Sequence, residues 1–271
     1  MRTQITFAFS AAALVGGLLS SCYVAQPSFE CFPAASHYWG NLTVDPASVV
    51  DPSAVGCGKF TNDNFQIQRY LPPGTTNGSI AVMSDIMGST TRLTHANDGT
   101  FVYAGPTADP ADPNHKKEVA IGPLASINPD EQGVCKATLA AADQSYPAVT
   151  RRNSNFVKDG GVTQLPATRV KFEYANFRLL NTARFPGTIF NTKLTVTIDD
   201  CKATYNVDGV VEPVLGPASC MTDEECSPEP NLDAGRALGS GLSKDLKPIC
   251  GPDGVCIQSK DVTFDPLLKL K

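Results

Sequence analysis

The side chains with the greatest chemical range in this chain are nine cysteines, at positions 22, 31, 57, 135, 201, 220, 226, 250 and 256. A thiol can carry a covalent lipid, form a disulfide, bind a soft metal or act as a nucleophile, and spacing helps to separate these uses. Cys220 and Cys226 flank five residues, 23 residues follow, and Cys250 and Cys256 again flank five. Zinc knuckles commonly use about two to four intervening residues, so this symmetrical set favours two disulfides over a metal centre. Other reactive groups are sparse. His37, His95 and His115 show no paired metal spacing. Gly239-Ser240-Gly241 lacks the Gly-x-Ser-x-Gly form of a hydrolase elbow. Asp85, Asp98, Glu173 and Asp199 are carboxylates of the kind a glycosidase sets on two sides of a sugar, but the sequence does not bring any two together. No catalytic residue, metal or cofactor is assigned.

The amino terminus gives the first cysteine its chemistry. Arg2 and the free amine form a short positive region, followed by about fifteen apolar or small residues from Ile5 to Leu19. A spanning helix needs about 20 apolar residues, and Gly16 and Gly17 interrupt this run, so it reads as a cleaved export signal over 1–21. Leu19-Ser-Ser-Cys22 resembles the bacterial lipobox, an aliphatic residue and two small ones before a cysteine. The resemblance implies that the Cys22 thiol receives a diacylglycerol and its freed amine a third acyl chain. Acyl burial contributes about 0.8 kcal/mol per methylene, and two or more chains hold a protein on a bilayer where one is marginal. The rival reading is a secreted protein whose Cys22 joins a disulfide. Parity opposes it, because removing Cys22 leaves eight cysteines, enough for four bridges in an oxidising compartment.

Composition narrows the class of body that the cysteines staple. Loss of Arg2 shifts the formal charge from -5 to -6, and an acidic chain offers no basic face to nucleic acid. Gly and Pro number 22 and 21 of 271 residues, so turns are frequent, while 8% aromatics still allow a core. Between Cys22 and the first anchoring residues, Phe29, Cys31 and Phe32, lies a tether of six residues, Tyr23 to Ser28. Such a flexible segment reaches roughly 15 Å, which keeps the body close to the headgroups. By resemblance to the bacterial sorting rule, Tyr23 in place of an acid favours the outer membrane.

The elements that must position the cysteines read as strands. Cys31 to Cys57 is rich in Asp-Pro turns and these two cysteines could close the segment on themselves. It contains the only tryptophan, Trp39, which suits either a buried apolar position or a sugar-stacking platform. Asn64 to Leu71, Ser79 to Met87 and Thr100 to Tyr103 are short strand candidates. Ala108 to His115 carries two acids but not the spacing of a calcium loop, and reads as a solvated Asp-Pro turn. Asn128-Pro-Asp-Glu131 could cap a helix, whereas Val134 to Ala141 could be a strand; both stay open. The clearest alternation runs from Thr168 to Val214: Val170, Phe172, Tyr174, then Leu194, Val196, Ile198, then Cys201, Ala203, Tyr205, Val207. Cys135-Lys-Ala-Thr echoes Cys201-Lys-Ala-Thr, placing a cysteine at the head of each strand.

These features give a mainly β chain, with an antiparallel β-sandwich-like domain over 29–217 and a loop-rich, disulfide-stapled module over 218–259. A lipidated tether at 22–28 precedes them and a tail at 260–271 follows. The lipobox, the strand Cys201-Lys-Ala-Thr-Tyr205 with its run to Glu212-Pro-Val214, and Gly235-Arg-Ala-Leu-Gly-Ser-Gly241 resemble cysteine-rich cell-envelope lipoproteins of gliding, predatory soil bacteria. That likeness spans the signal and roughly the last 100 residues, and implies attachment rather than catalysis. The expectation is a non-enzymatic, lipid-anchored outer-membrane protein with a structural or protein-binding role. The alternatives are a carbohydrate-binding module using Trp39 and, behind it, a surface hydrolase using a carboxylate pair. Expected partners are the membrane and another envelope protein or polysaccharide, with no nucleic acid.

Overall fold

The computed structural model describes residues 30–50, 57–74, 76–87, 118–146, 149–152, 162–165, 167–211, 220–233, 239–251, 254 and 256–270. Cys22 with the expected signal and tether, the Thr100 to Tyr103 strand candidate, and the Ala108 to His115 loop lie outside them, as do Asp98, His95 and His115. No helix among the described residues is long and apolar enough to cross a membrane.

The body is one antiparallel nine-stranded sheet. Its strands are β1 (His37–Val44), β2 (Asn62–Tyr70), β3 (Ser79–Ser84), β4 (Ala120–Pro123), β5 (Val134–Ala137), β6 (Ala142–Tyr146), β9 (Thr168–Asn181), β10 (Pro186–Ile198) and β11 (Cys201–Val211). A separate hairpin, β7 (Val149–Arg152) with β8 (Val162–Leu165), stands between β6 and β9. The order β4-β3-β2-β1-β11-β10-β9-β5 joins two meanders, β1 to β4 and β9 to β11, through the β1·β11 pair. The outer strands then meet. Thr138 N–H donates to Pro123 O at 3.2 Å, Ala140 N–H to Ile121 O at 2.9 Å and Ala125 N–H to Lys136 O at 2.9 Å, so the sheet nearly closes on itself. Mainly β structure, antiparallel pairing and a disulfide-stapled carboxyl-terminal module are all as expected. The facing layers of the sandwich-like body are opposite walls of this one curled sheet, an arrangement that hides the edge groups of both outer strands.

Closure requires close contact at one glycine. A Cβ on Gly122 would stand 1.8 Å from the Thr138 carbonyl oxygen, so only a hydrogen there lets β4 reach the segment after β5. The undecided stretch near residue 134 is therefore strand over Val134–Ala137, and Asp130 forms a turn instead of a helix cap. Its carboxylate accepts from the backbone N–H groups of Gln132 and Val134 at 3.0 and 2.9 Å.

Alternation fills the interior. Tyr38 and Leu42 from β1, Phe65 and Ile67 from β2, Phe172 from β9, Phe190 and Leu194 from β10, and Tyr205 and Val207 from β11 share one buried cluster. In β9 the inward parity changes from Val170, Phe172 and Tyr174 to Phe177 and Leu179. One extra residue in β9, opposite the step from Asn191 to Lys193 in β10, makes this bulge, and Asn176 adopts a positive φ of 56° within it. The bulge also divides the outer partners of β9, with β6 pairing residues 168–172 and β5 pairing 177–180.

Each end of the barrel carries a disulfide. Cys31 bonds Cys135 at the end where residue 30 approaches, and Cys57 bonds Cys201 at the opposite end. A bridge closing Cys31 onto Cys57 does not occur. The strand β1 runs the length of the wall between them, so the two cysteines lie at opposite ends and each bonds the head of a distant strand. The echo of Cys135-Lys-Ala-Thr and Cys201-Lys-Ala-Thr does mark two such strand heads.

Candidate functional site

Two places gather polar or reactive groups: the interior beside Asp63, and the outer wall under the carboxyl-terminal module. Asp63 has the same inward parity on β2 as Phe65 and Ile67, so alternation carries a carboxyl into the core. It is 4% exposed, and its Oδ2 accepts the Ser84 hydroxyl while Oδ1 accepts the Ile86 N–H at 3.0 Å. Ser84 Oγ in turn accepts the Met87 N–H at 3.3 Å. Burial pushes the Asp63 carboxyl up to about 7, although the Ser84 and Ile86 donors pull it down. Tyr174 is pushed upward too, by burial and then by the Asp63 charge.

The geometry of Asp63 serves folding of the turn after β3. Asp63 Oδ1 and Ser84 Oγ accept the N–H groups of Ile86 and Met87 in the helical turn from Asp85 to Met87, while Asp63 Oδ2 holds the Ser84 hydroxyl in place, and Met87 is fully buried behind them. Serine beside a carboxylate lacks the imidazole base that turns a hydroxyl into a nucleophile. The signal for Asp63 was the alternation of Phe65 and Ile67, which, carried two residues back, reaches Asp63 on the same face. The strand candidate began at Asn64 and so left it out.

The module is built on two bridges, Cys220–Cys250 and Cys226–Cys256, around a two-stranded ladder of β12 (Ile249–Cys250) and β13 (Cys256–Ile257). The Sγ atoms of Cys220, Cys226 and Cys250 lie within 4.8 Å of one another. All three are bonded to sulfur, and a disulfide has no thiolate to offer a zinc ion.

This module and the tail after it, residues 260–270, together cover one wall of the barrel. On the outer face, Val134, Leu180, Ile189 and Val210 are register neighbours across β5, β9, β10 and β11. They pack in a second core with Leu242, Leu246, Val262, Phe264 and Leu267, the last two from the short helix α1 (Phe264–Leu267). Polar ties fix the overlay. Arg178 reaches Asp265 at 2.8 Å and stacks 4.6 Å from the Phe264 ring centroid. Arg184 pairs with Asp245 at 2.5 Å, and Phe264 N–H donates to Asp208 at 3.1 Å.

Trp39 belongs to this covered wall. It lies opposite Val210 on the outer face of β1 and is 4% exposed, which leaves no ring face for a sugar to stack on. Two residues along, Asn41 Nδ2 donates to the Gln258 backbone carbonyl at 3.0 Å. Of the four carboxylates weighed for hydrolysis, the three among the described residues are scattered. Asp85 is exposed at the start of the helical turn, Glu173 pairs with Lys171 at 2.7 Å, and Asp199 accepts the Arg169 N–H at 2.8 Å in the β10–β11 turn. His37 is exposed at the start of β1, with Nδ1 2.9 Å from the Ser36 hydroxyl. Ser240 is buried beside Gly239, and a Cβ on that glycine would meet the Pro228 carbonyl oxygen at 1.8 Å, a backbone contact within the module.

The eight cysteines named from parity form four bridges, and the first cysteine, Cys22, is the one left over. No solved structure matches the chain. A Myxococcus xanthus protein named as a lipoprotein, MlpA, is 26% identical over 255 residues, covering 91% of this chain and 92% of the relative. The MlpA family matches residues 41–212, from within β1 to just beyond β11, which is well over half of the 271 residues. On that match, the chain belongs to the MlpA family.

Proposed function

We propose that this protein is a cell-envelope lipoprotein, held by acyl chains on Cys22 at the outer membrane, with a structural or protein-binding role and no catalysed reaction. The observation that carries this reading is the pairing of all eight other cysteines, which leaves Cys22 free within Leu19-Ser-Ser-Cys22. The lipoprotein name of the Myxococcus relative supports it. A structural or protein-binding role suits a barrel whose interior is filled by side chains and whose one wall is sealed by a stapled module. Neither alternative gains support from the geometry, because Trp39 is covered and the candidate carboxylates among the described residues, Asp85, Glu173 and Asp199, are dispersed.

The test is mass spectrometry of protein taken from its native membrane. Acyl chains on Cys22, with eight cysteines resistant to alkylation until reduced, are expected. Cys22→Ser should leave an unlipidated, uncleaved precursor at the inner membrane. Normal maturation of that variant would overturn the anchor.

A further inference from the structure

The end of the barrel nearest the tether differs from the rest of the surface. Among the described residues only six large apolar side chains are exposed, and three of them, Phe32, Tyr70 and Leu71, at 38, 40 and 60% exposure, belong to this end. Phe32 lies in the segment that leads from residue 30 to β1, while Tyr70 ends β2 and Leu71 follows it. The Glu30–Arg69 ion pair, 2.9 Å long, holds those two segments side by side. The Asn181 side-chain amide also donates to the Glu30 carbonyl, and Cys31 is bonded to Cys135, so the rim is fixed rather than free to fold away.

Charges at this end are largely matched. Glu30 pairs with Arg69, and Asp130 with Lys136 at 2.9 Å, which lowers the cost of bringing the rim to a headgroup layer. Length then restricts the orientation. The six-residue tether from Tyr23 to Ser28 reaches roughly 15 Å, whereas strands of eight or nine residues make the barrel roughly 25 to 30 Å long. The end that receives the tether must therefore lie nearer the bilayer than the end that carries Cys57, Val50 and Asp63.

We propose that Phe32, Tyr70 and Leu71 form a lipid-facing rim that seats the barrel end-on against the headgroup layer, with the opposite end turned away. This rests on the Cys22 anchor proposed above. Tyrosine and phenylalanine suit such a position, because their rings place an apolar body at a wet boundary, and Leu71 adds an aliphatic side chain beside them.

The experiment uses full-length, lipidated protein in vesicles of phosphatidylethanolamine and phosphatidylglycerol, with part of the lipid brominated in its acyl chains. Leu71→Trp and Val50→Trp each add one indole to the buried Trp39, the second at the opposite end, where Val50 is 55% exposed. Fluorescence of the new indole in Leu71→Trp should be quenched about threefold more than in Val50→Trp, since interfacial side chains enter only the first 5 to 10 Å of the bilayer. Equal quenching in protein that floats with the vesicles would overturn the rim while leaving the anchor intact. Protein that lacks acyl mass and fails to float would overturn the anchor, and the rim with it.

Discussion

Phe190 and Gly209 are register partners on β10 and β11, and a Cβ built on Gly209 would stand 1.9 Å from the Phe190 ring. The ring lies across the glycine and meets Phe65 edge-on at 5.3 Å, Tyr38 edge-on at 5.5 Å and Phe177 stacked at 6.0 Å. Gly40 sits opposite Gly209 on β1 and makes the same space for Phe65, whose ring its Cβ would meet at 2.5 Å. Two facing glycines thus allow aromatic rings to cross a narrow barrel. Gly209→Ala should cost about 1 to 3 kcal/mol by overpacking, and Phe190→Leu in the same chain should recover part of that loss. Denaturant unfolding of the single and double variants measures the coupling; purely additive losses would mean that the ring and the glycine are independent.

Asp63 makes stability depend on pH in an unusual direction. Its carboxyl is raised from 3.8 to about 7 in the folded chain, so the folded state holds the proton more tightly than the unfolded one. Its stabilising contribution is fully present below about pH 4 and is lost as pH rises through 7, by up to about 4 kcal/mol. Asp63→Asn removes this titration and keeps a polar side chain for Ser84 and Ile86. Denaturation at pH 4.5 and 7.5 should show wild type losing stability relative to the variant, and parallel curves would count against the buried acid.

Phe264, in the tail that follows the module, anchors the layer on the outer wall, 1% exposed and stacked against Arg178. Phe264→Ala should cost about 3 to 5 kcal/mol of that packing. Because the barrel interior is a separate cluster, loss should appear first as faster proteolysis and hydrogen exchange beyond residue 240, with the β9 to β11 meander still protected.

The four bridges should differ in worth according to the chain they close. Cys31–Cys135 and Cys57–Cys201 span 104 and 144 residues, against 30 for each bridge of the module. Chain entropy gives about 5 kcal/mol for the long loops and nearer 4 for the short ones. Replacing both members of a pair by serine and measuring unfolding midpoints under non-reducing conditions should place Cys57–Cys201 above Cys220–Cys250. The reverse order would show that strain or residual unfolded structure outweighs loop length.

Much of the β architecture was legible because alternation is local. Val170, Phe172 and Tyr174 on β9, and Cys201 through Val207 on β11, report their faces within a few residues of chain. The same rule failed at Asn176, where one extra residue reverses the parity without any change in composition that marks it. Burial of Trp39, one of the two uses open to it, is what the structure shows, but alternation could not supply the reason. An outward position on β1 reads as exposed until a second layer is known to lie on it, and that layer comes from more than 200 residues away.

By itself the sequence determined that the chain is mainly β and that, with Cys22 set aside, eight cysteines remain to pair. These follow from residue type, count and short-range period. Only the tertiary structure decided that Cys31 meets Cys135 and Cys57 meets Cys201, that the sheet curls until Gly122 passes Thr138, and that the module buries the row from Val134 to Val210. The physical reason is range. A strand announces its two faces through neighbours two residues apart, but which strands lie side by side, and what covers their outer face, depends on closing loops of a hundred residues and more.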